Sequence, residues 1–247
     1  MTPKESAANK EAFRQMSLAE KIDYIRSYYW APILLIMIAL IITGTSLYRH
    51  FTKKEHILYI ALVNTVVGEN LDAAINRDYL LSRSMDPQKS EILFYRDLYL
   101  SNDPDLGHHE IAYASKLKLI AVINSKNLDL VLMNQEAYDI LSNNEYLFDI
   151  TELSGVDDAL YQKLKPFSAE NTVIIADNAI EVSLNEADKY QALTKKVMNG
   201  IDISSIPAIR NAGFSDTVYL GIIANTPRLA ECCDYLNYIV SLEQSGV

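Results

Sequence analysis

Residues 128–133 read LDLVLM, and residues 57–63 read ILYIALV. Each is a short apolar run, too long for one face of an alternating strand and too short for a core helix. Runs of this kind suit strands buried on both sides, as in a parallel sheet covered by helices. They set the expectation for everything around them.

Working outward, the text alternates between strand-like and helix-like stretches. Gly68 to Arg83 suits a helix, with Leu71, Ile75 and Tyr79 on one face. Ile92 to Leu100 reads as a second strand. Gly107 to Ser125 suits a longer helix, striped by Ile111, Ala114, Leu117 and Ala121. After the 128–133 strand, Ala137 to Ser142 is a brief helix and Phe148 to Leu153 a short strand or edge. Asp157 to Leu164 is helical and stops at Pro166. Thr172 to Ala176 and Ala179 to Leu184 read as strands, joined by a turn at Asp177-Asn178. Ser204 to Asn211 is a short helix and Thr217 to Ala224 a last buried strand. Thr226-Pro227 then opens a final helix, Thr as cap and Pro in the first turn, with Leu229, Cys233, Leu236 and Val240 on its face. This order predicts an α/β fold with a mostly parallel sheet and helices on both sides.

A different kind of run precedes this body. Residues 31–47, APILLIMIALIITGTSL, hold no charged side chain. At about 1.5 Å per residue they approach the ~30 Å of a hydrocarbon core. Tyr28, Tyr29 and Trp30 on one side and Tyr48 on the other supply interfacial rings. The expectation is one transmembrane helix over 30–48, with Arg49, Lys53 and Lys54 as its stop and 49–55 as a tether. No A-x-A-like cleavage site follows it, so a cleaved signal peptide is disfavoured. Ser17-Leu18-Ala19-Glu20 is a capping box that starts a short amphipathic helix within the 1–29 segment.

Charge divides at the same place. Residues 1–55 carry eight basic and five acidic side chains, whereas the remainder carries 14 and 27 within the net charge of −10. So acidic a body excludes nucleic acid as a natural partner. Five basic residues before the span against three after it favour a cytoplasmic N-terminus and an extracytoplasmic body. Cys232 and Cys233, the only cysteines, are neighbours in a helix and point in different directions, so no disulfide is expected.

Taken in order, ALVNT (61–65), LDLVLMNQEAYDIL (128–141), NEYLFDITEL (144–153) and VYLGIIANTPRLAECCDYLNYIV (218–240) resemble the extracytoplasmic solute-binding proteins of bacterial ABC importers. The likeness spans roughly 56–242, and KIDYIRSYYW (21–30) before a single span resembles their membrane-tethered members. The resemblance implies the two-lobed type II periplasmic-binding fold, in reduced and membrane-anchored form. Lobe one would take 56–127 and 217–242, and lobe two 128–216, within a 56–247 domain. No lipobox cysteine precedes the body, so the anchor is a helix in place of a lipid.

Ligands in open α/β sheets sit beyond the carboxyl ends of the strands. That rule, with the resemblance, nominates Asn64, Thr65, Asn134, Gln135, Asn178, Asn225 and Thr226 as ligand-binding residues. Asn and Thr also cap helices without any ligand, so capping is the alternative for each. The implied partner is a small polar solute or ion, delivered to an ABC permease. The competing function is a ligand-free bitopic module that docks a partner membrane protein. Thr43, Gly44, Thr45 and Ser46 would let another helix approach the outer end of the span.

No catalytic, nucleotide or metal motif is present, so neither a catalytic residue nor a cofactor is expected. Asp103, Asp105, His108, His109 and Glu110 are dense in ligand atoms. The adjacent histidines cannot share a helix face, and acids near a helix N-terminus suffice to explain the cluster.

Overall fold

The computed structural model describes residues 14, 16–52, 54–65, 76–102, 109–179, 189–206, 209–210 and 217–244. The chain divides into two compact units, residues 1–53 and 54–247.

The first unit holds helix α1 (Leu18–Tyr28) and helix α2 (Trp30–Thr52). The capping box forms as its spacing requires. The Ser17 N–H donates to Glu20 Oε2 at 2.8 Å, and the Glu20 N–H donates back to Ser17 Oγ at 3.4 Å. Those bonds hold the Glu20 carboxyl below its ordinary pKa. Within α2, Trp30–Tyr48 makes a 19-residue candidate span of mean hydropathy 2.1, with none of it buried against protein. At 1.5 Å per residue it is about 29 Å long, enough to cross a bilayer core.

The second unit is built on one six-stranded sheet. Its strands are β1 (Glu55–Val63), β2 (Ser90–Leu98), β3 (Leu130–Met133), β4 (Ser168–Asp177), β5 (Ala192–Asp202) and β6 (Tyr219–Ile222). Their order across the sheet is β2-β1-β3-β6-β5-β4. β1 pairs parallel with β2 and with β3, whereas β3–β6, β5–β6 and β4–β5 are antiparallel. The α/β class therefore holds, but the sheet is mixed; it is not mostly parallel. Strands from all three stretches expected to alternate between lobes, 56–127, 128–216 and 217–242, join this single sheet.

Helices cover both faces, and the strand period shows why the apolar runs are continuous. Leu58, Ile60 and Leu62 of β1, Leu130 and Leu132 of β3, and Leu220 and Ile222 of β6 point to one face. There they meet α3 (Arg77–Ser82), α6 (Asp158–Leu164) and α7 (Leu229–Gln244) through Tyr79, Leu160, Leu164, Tyr235, Leu236 and Ile239. Ala61, Val63, Val131 and Met133 point to the other. They meet α4 (His109–Asn124) and α5 (Gln135–Asn143) through Leu119, Ile123, Tyr138 and Leu141. Alternate residues feed opposite layers, so a strand with helices on both sides has no polar face.

Several local expectations shift. Phe148 to Leu153 is not a strand. Asp149 caps a 3₁₀ turn over Ile150–Gly155, its Oδ1 accepting from the Thr151 N–H at 2.9 Å, and only Leu147 makes a bridge to the sheet, at Ile223. On α4 the buried side chains are Ser115, Leu119 and Ile123, while Ile111, Ala114, Leu117 and Ala121 face out. Strand β5 was not foreseen. Its first half, ALTKK, is exposed and charged, and only Asn199, Gly200 and Ile201 are buried. Residues 180–184 of the expected second hairpin strand, much of the expected helix over 68–83, and Asp103, Asp105 and His108 lie outside the described residues.

Candidate functional site

The seven nominated residues depend on strand direction. β1 and β3 run parallel with Val63 opposite Met133, so Asn64 and Asn134 leave the sheet at the same end. β6 runs against β3, with Ile222 beside Leu130. Asn225 and Thr226 therefore emerge at the opposite end, next to the start of β3. β4 pairs Ser168 with Ile201 and Asp177 with Ala192, and Ile201 lies beside Leu220. Asn178 thus sits ten strand positions, about 33 Å, from that level. The seven side chains do not converge on one cleft.

Nor are most of them free. Asn64 adopts a left-handed backbone, φ 53°. Its amide continues the β1–β2 ladder, with Nδ2 donating to the Leu100 carbonyl at 2.6 Å and Oδ1 accepting the Leu100 N–H at 2.7 Å. Asn134 caps α5, its Oδ1 accepting from the Ala137 N–H at 3.0 Å. Gln135 Nε2 donates to Asp139 Oδ1 at 2.7 Å, and that oxygen also accepts from Asn171 Nδ2 at 2.9 Å. Asn178 closes the β4–β5 hairpin, donating to the Lys189 carbonyl at 3.0 Å and accepting the Gln191 N–H at 2.7 Å. Asn225 Nδ2 donates to the Ile123 carbonyl near the end of α4 at 3.0 Å. Thr65 alone has a buried hydroxyl with no hydrogen-bond partner among the described residues. Capping and ladder or hairpin closure account for Asn64, Asn134, Asn178 and Asn225, while Gln135 bonds Asp139 and Thr226 bonds Asp129.

The strongest polar constellation centres on Asp129, a residue not nominated. Its carboxylate is fully buried. Oδ2 accepts from the Tyr59 N–H and from Arg228 Nε, both at 2.9 Å, and Oδ1 accepts from Thr226 Oγ1 at 2.5 Å. The Arg228 guanidinium also donates to the Lys126 carbonyl at 2.8 Å and lies 4.6 Å from the centre of the Tyr59 ring. Both carboxylate oxygens of Asp129 are spent on another strand or turn. The carboxylate locks β1, β3 and the turn after β6 together and offers no vacant position for a reacting group. The sequence signal for it was a lone acid inside an apolar strand, since a buried charge needs partners.

A second network lies under α5. Tyr138 Oη donates to the Ala169 carbonyl at 2.8 Å and contacts Asn199 Oδ1 at 3.0 Å; Asn199 Nδ2 donates to Ser142 Oγ, which donates to the Thr172 carbonyl, both at 2.8 Å. Burial pushes the Tyr138 phenol far above its ordinary pKa, with Tyr219 adding to the rise. These groups join α5 to the β4–β5 ribbon and are closed to solvent. Cys232 and Cys233 are free and buried, and burial raises both thiols.

Open surface on the body includes a groove of about 450 Å³ lined by Lys54, Arg77, Glu91 and Arg96 with Leu80, Leu93 and Phe94, and an apolar stripe on α4. Ile111, Tyr113 and Leu117 are 53%, 65% and 50% exposed on α4. Beside them Asp97, Leu98, Glu110, Ile111, Ala114, Ser115 and Lys118 line a shallow groove of about 360 Å³. The stripe whose spacing suggested a core-facing side is the outer side of this helix. Compared with protein-family models, with curated proteins and with solved structures, the chain matches none.

Proposed function

We propose that this chain is a single-pass, membrane-anchored α/β module that works by docking a partner membrane protein and encloses no solute. The observation that carries this is the outward apolar stripe of α4, Ile111, Ala114 and Leu117 with Tyr113 beside it. Such a side chain gains roughly 1.5–3 kcal/mol when fully buried, so a cluster of them in water favours a protein surface that covers it. The spending of Asn64, Asn134, Asn178 and Asn225 on the protein's own backbone supports the same reading. So does their distribution between two ends of the sheet.

In this view the body keeps one sheet of a periplasmic-binding-like ancestor, and the span Trp30–Tyr48 does the work of a lipid anchor. The solute-binding role beside an ABC importer that the resemblance implies is the competing function. A photocrosslinking residue at Leu117, in native membranes, is expected to capture one membrane protein, and Ile111→Glu is expected to abolish capture. The same residue placed at Glu170 is expected to capture nothing. Absence of any Leu117 adduct would overturn the docking role. In parallel, thermal shifts of the full chain against sugars, amino acids, peptides and metal ions at millimolar concentration are expected to be flat. Stabilisation of several degrees by one solute would restore the competing function.

A further inference from the structure

The first unit carries a groove of its own. Tyr29 lies outside both α1 and α2 and marks a bend between them. Pro32 explains the break: it has no N–H to return to the Tyr28 carbonyl, and its ring crowds that turn. The helix resumes at once, with the Ile33 N–H donating to the Tyr29 carbonyl at 2.9 Å. Along the bend, Ile22, Arg26, Trp30, Ile33, Leu34 and Met37 line a groove of about 410 Å³ that is almost wholly apolar. Its one charge is Arg26, four residues ahead of the candidate span, and no ion pair of Arg26 exists among the described residues.

We propose that this groove seats an anionic phospholipid, its phosphate on Arg26 and the upper part of an acyl chain along Trp30, Ile33, Leu34 and Met37. The occupant follows from continuity. The apolar lining belongs to the span itself, so lipid chains are what surrounds it, and Arg26 stands about 6 Å beyond the first residue of the span, at the level of the headgroups. A guanidinium there has a geometry suited to a phosphate. A zwitterionic lipid would offer the same chain without the net charge, so the site should discriminate by headgroup. The proposal rests on the membrane-anchored reading, and its test separates the two.

Trp30 is the only tryptophan in the chain and it lines the groove, so its fluorescence reports the occupant directly. The full chain is reconstituted into phosphatidylcholine vesicles containing a minor fraction of either phosphatidylglycerol or phosphatidylcholine brominated on the acyl chain. Quenching gives the relative affinity at Trp30. The wild type is expected to prefer brominated phosphatidylglycerol by about fivefold. Arg26→Gln is expected to bring the ratio to one, and Arg26→Lys to keep most of it. Equal quenching in the wild type, or a preference that survives in Arg26→Gln, would overturn the proposal. Alkaline carbonate extraction checks the anchor separately: retention in the membrane with equal quenching refutes the lipid site alone, whereas release refutes the anchored reading itself.

Discussion

Asp129→Ala should be among the most damaging single substitutions in the body. The carboxylate is fully buried and accepts three hydrogen bonds, from Tyr59 N–H, Thr226 Oγ1 and Arg228 Nε. Alanine leaves the Tyr59 N–H and the Arg228 guanidinium without an acceptor. A buried donor left unsatisfied costs about 1–3 kcal/mol, and breaking a buried ion pair costs about 3–5 kcal/mol. Arg228 keeps 24% of its side chain in solvent, so water recovers part of its share. Thr226 can turn its hydroxyl elsewhere. The net loss comes to roughly 3 kcal/mol, a large fraction of the 5–15 kcal/mol typical of a folded domain. Asp129→Asn should cost only about 1–2 kcal/mol, because its carbonyl can accept from Tyr59 and Arg228 while its amide donates to Thr226. The assay follows from the cysteines. Cys232 and Cys233 are the only two, both are buried in the body, and the span has none. A short pulse of thiol reagent after equilibration in urea therefore counts unfolded bodies in the full chain. With an m-value of about 2 kcal/mol/M, Asp129→Ala should lower the midpoint by roughly 1.5 M and Asp129→Asn by about half as much. A midpoint shift below about 0.5 M for the alanine variant would refute the pinning role given to this carboxylate.

Other expectations follow from particular contacts. A Cβ on Gly200 would lie 2.5 Å from Tyr138 Cζ and Oη, so Gly200→Ala should cost about 1–3 kcal/mol, read by the same labelling assay. Tyr138→Phe should cost about 1–2 kcal/mol, since it removes the donor to the Ala169 carbonyl and leaves Asn199 Oδ1 without its Tyr138 contact. Alkali should destabilise the body. Burial, with help from Asp234, raises the Tyr79 phenol from 10.0 to about 12, and burial raises both thiols from 9.0. The unfolded chain ionises first, so these groups' contribution is complete below about pH 9 and is lost as pH rises through 10 to 12. Urea midpoints followed by near-UV dichroism should be flat from pH 7 to 8.5 and fall steadily above. A cysteine introduced as Tyr48→Cys, with both native thiols buried, should react with an impermeant reagent added outside intact cells if the N-terminus is cytoplasmic as the flanking charges lead one to expect; protection there would reverse that expectation.

Much of the local structure was legible because local physics decides it. The Ser17–Glu20 capping box and the strands at 57–63 and 128–133 each depend on neighbours in sequence, whereas the last helix starts at Leu229, two residues past the expected Pro227, and Thr226 closes a turn ahead of it by accepting the Arg228 N–H. The α4 stripe misled for a definite reason. Ile111, Ala114, Leu117 and Ala121 follow helical spacing as well as Ser115, Leu119 and Ile123 do, and an apolar outward face reverses the usual inference. The exposed half of β5 left no apolar trace, because its backbone bonds to the β4 ribbon do not require buried side chains. Asp129 was visible as an acid in an apolar run, but its partners Tyr59, Thr226 and Arg228 lie 70 to 99 positions away in the chain.

The amino-acid sequence by itself determined the segregation of an apolar 19-residue helix from an acidic α/β body, since length, hydropathy and charge need no tertiary contact to act. Strand direction was different. Parallel and antiparallel neighbours share the same side-chain period of two, so nothing in VYLGII announces that β6 runs against β3. Only the folded sheet decides that direction. By doing so it sends Asn225 and Thr226 to one end and Asn64 and Asn134 to the other, and a ligand cleft assembled on paper becomes a set of separate caps and ladder closures.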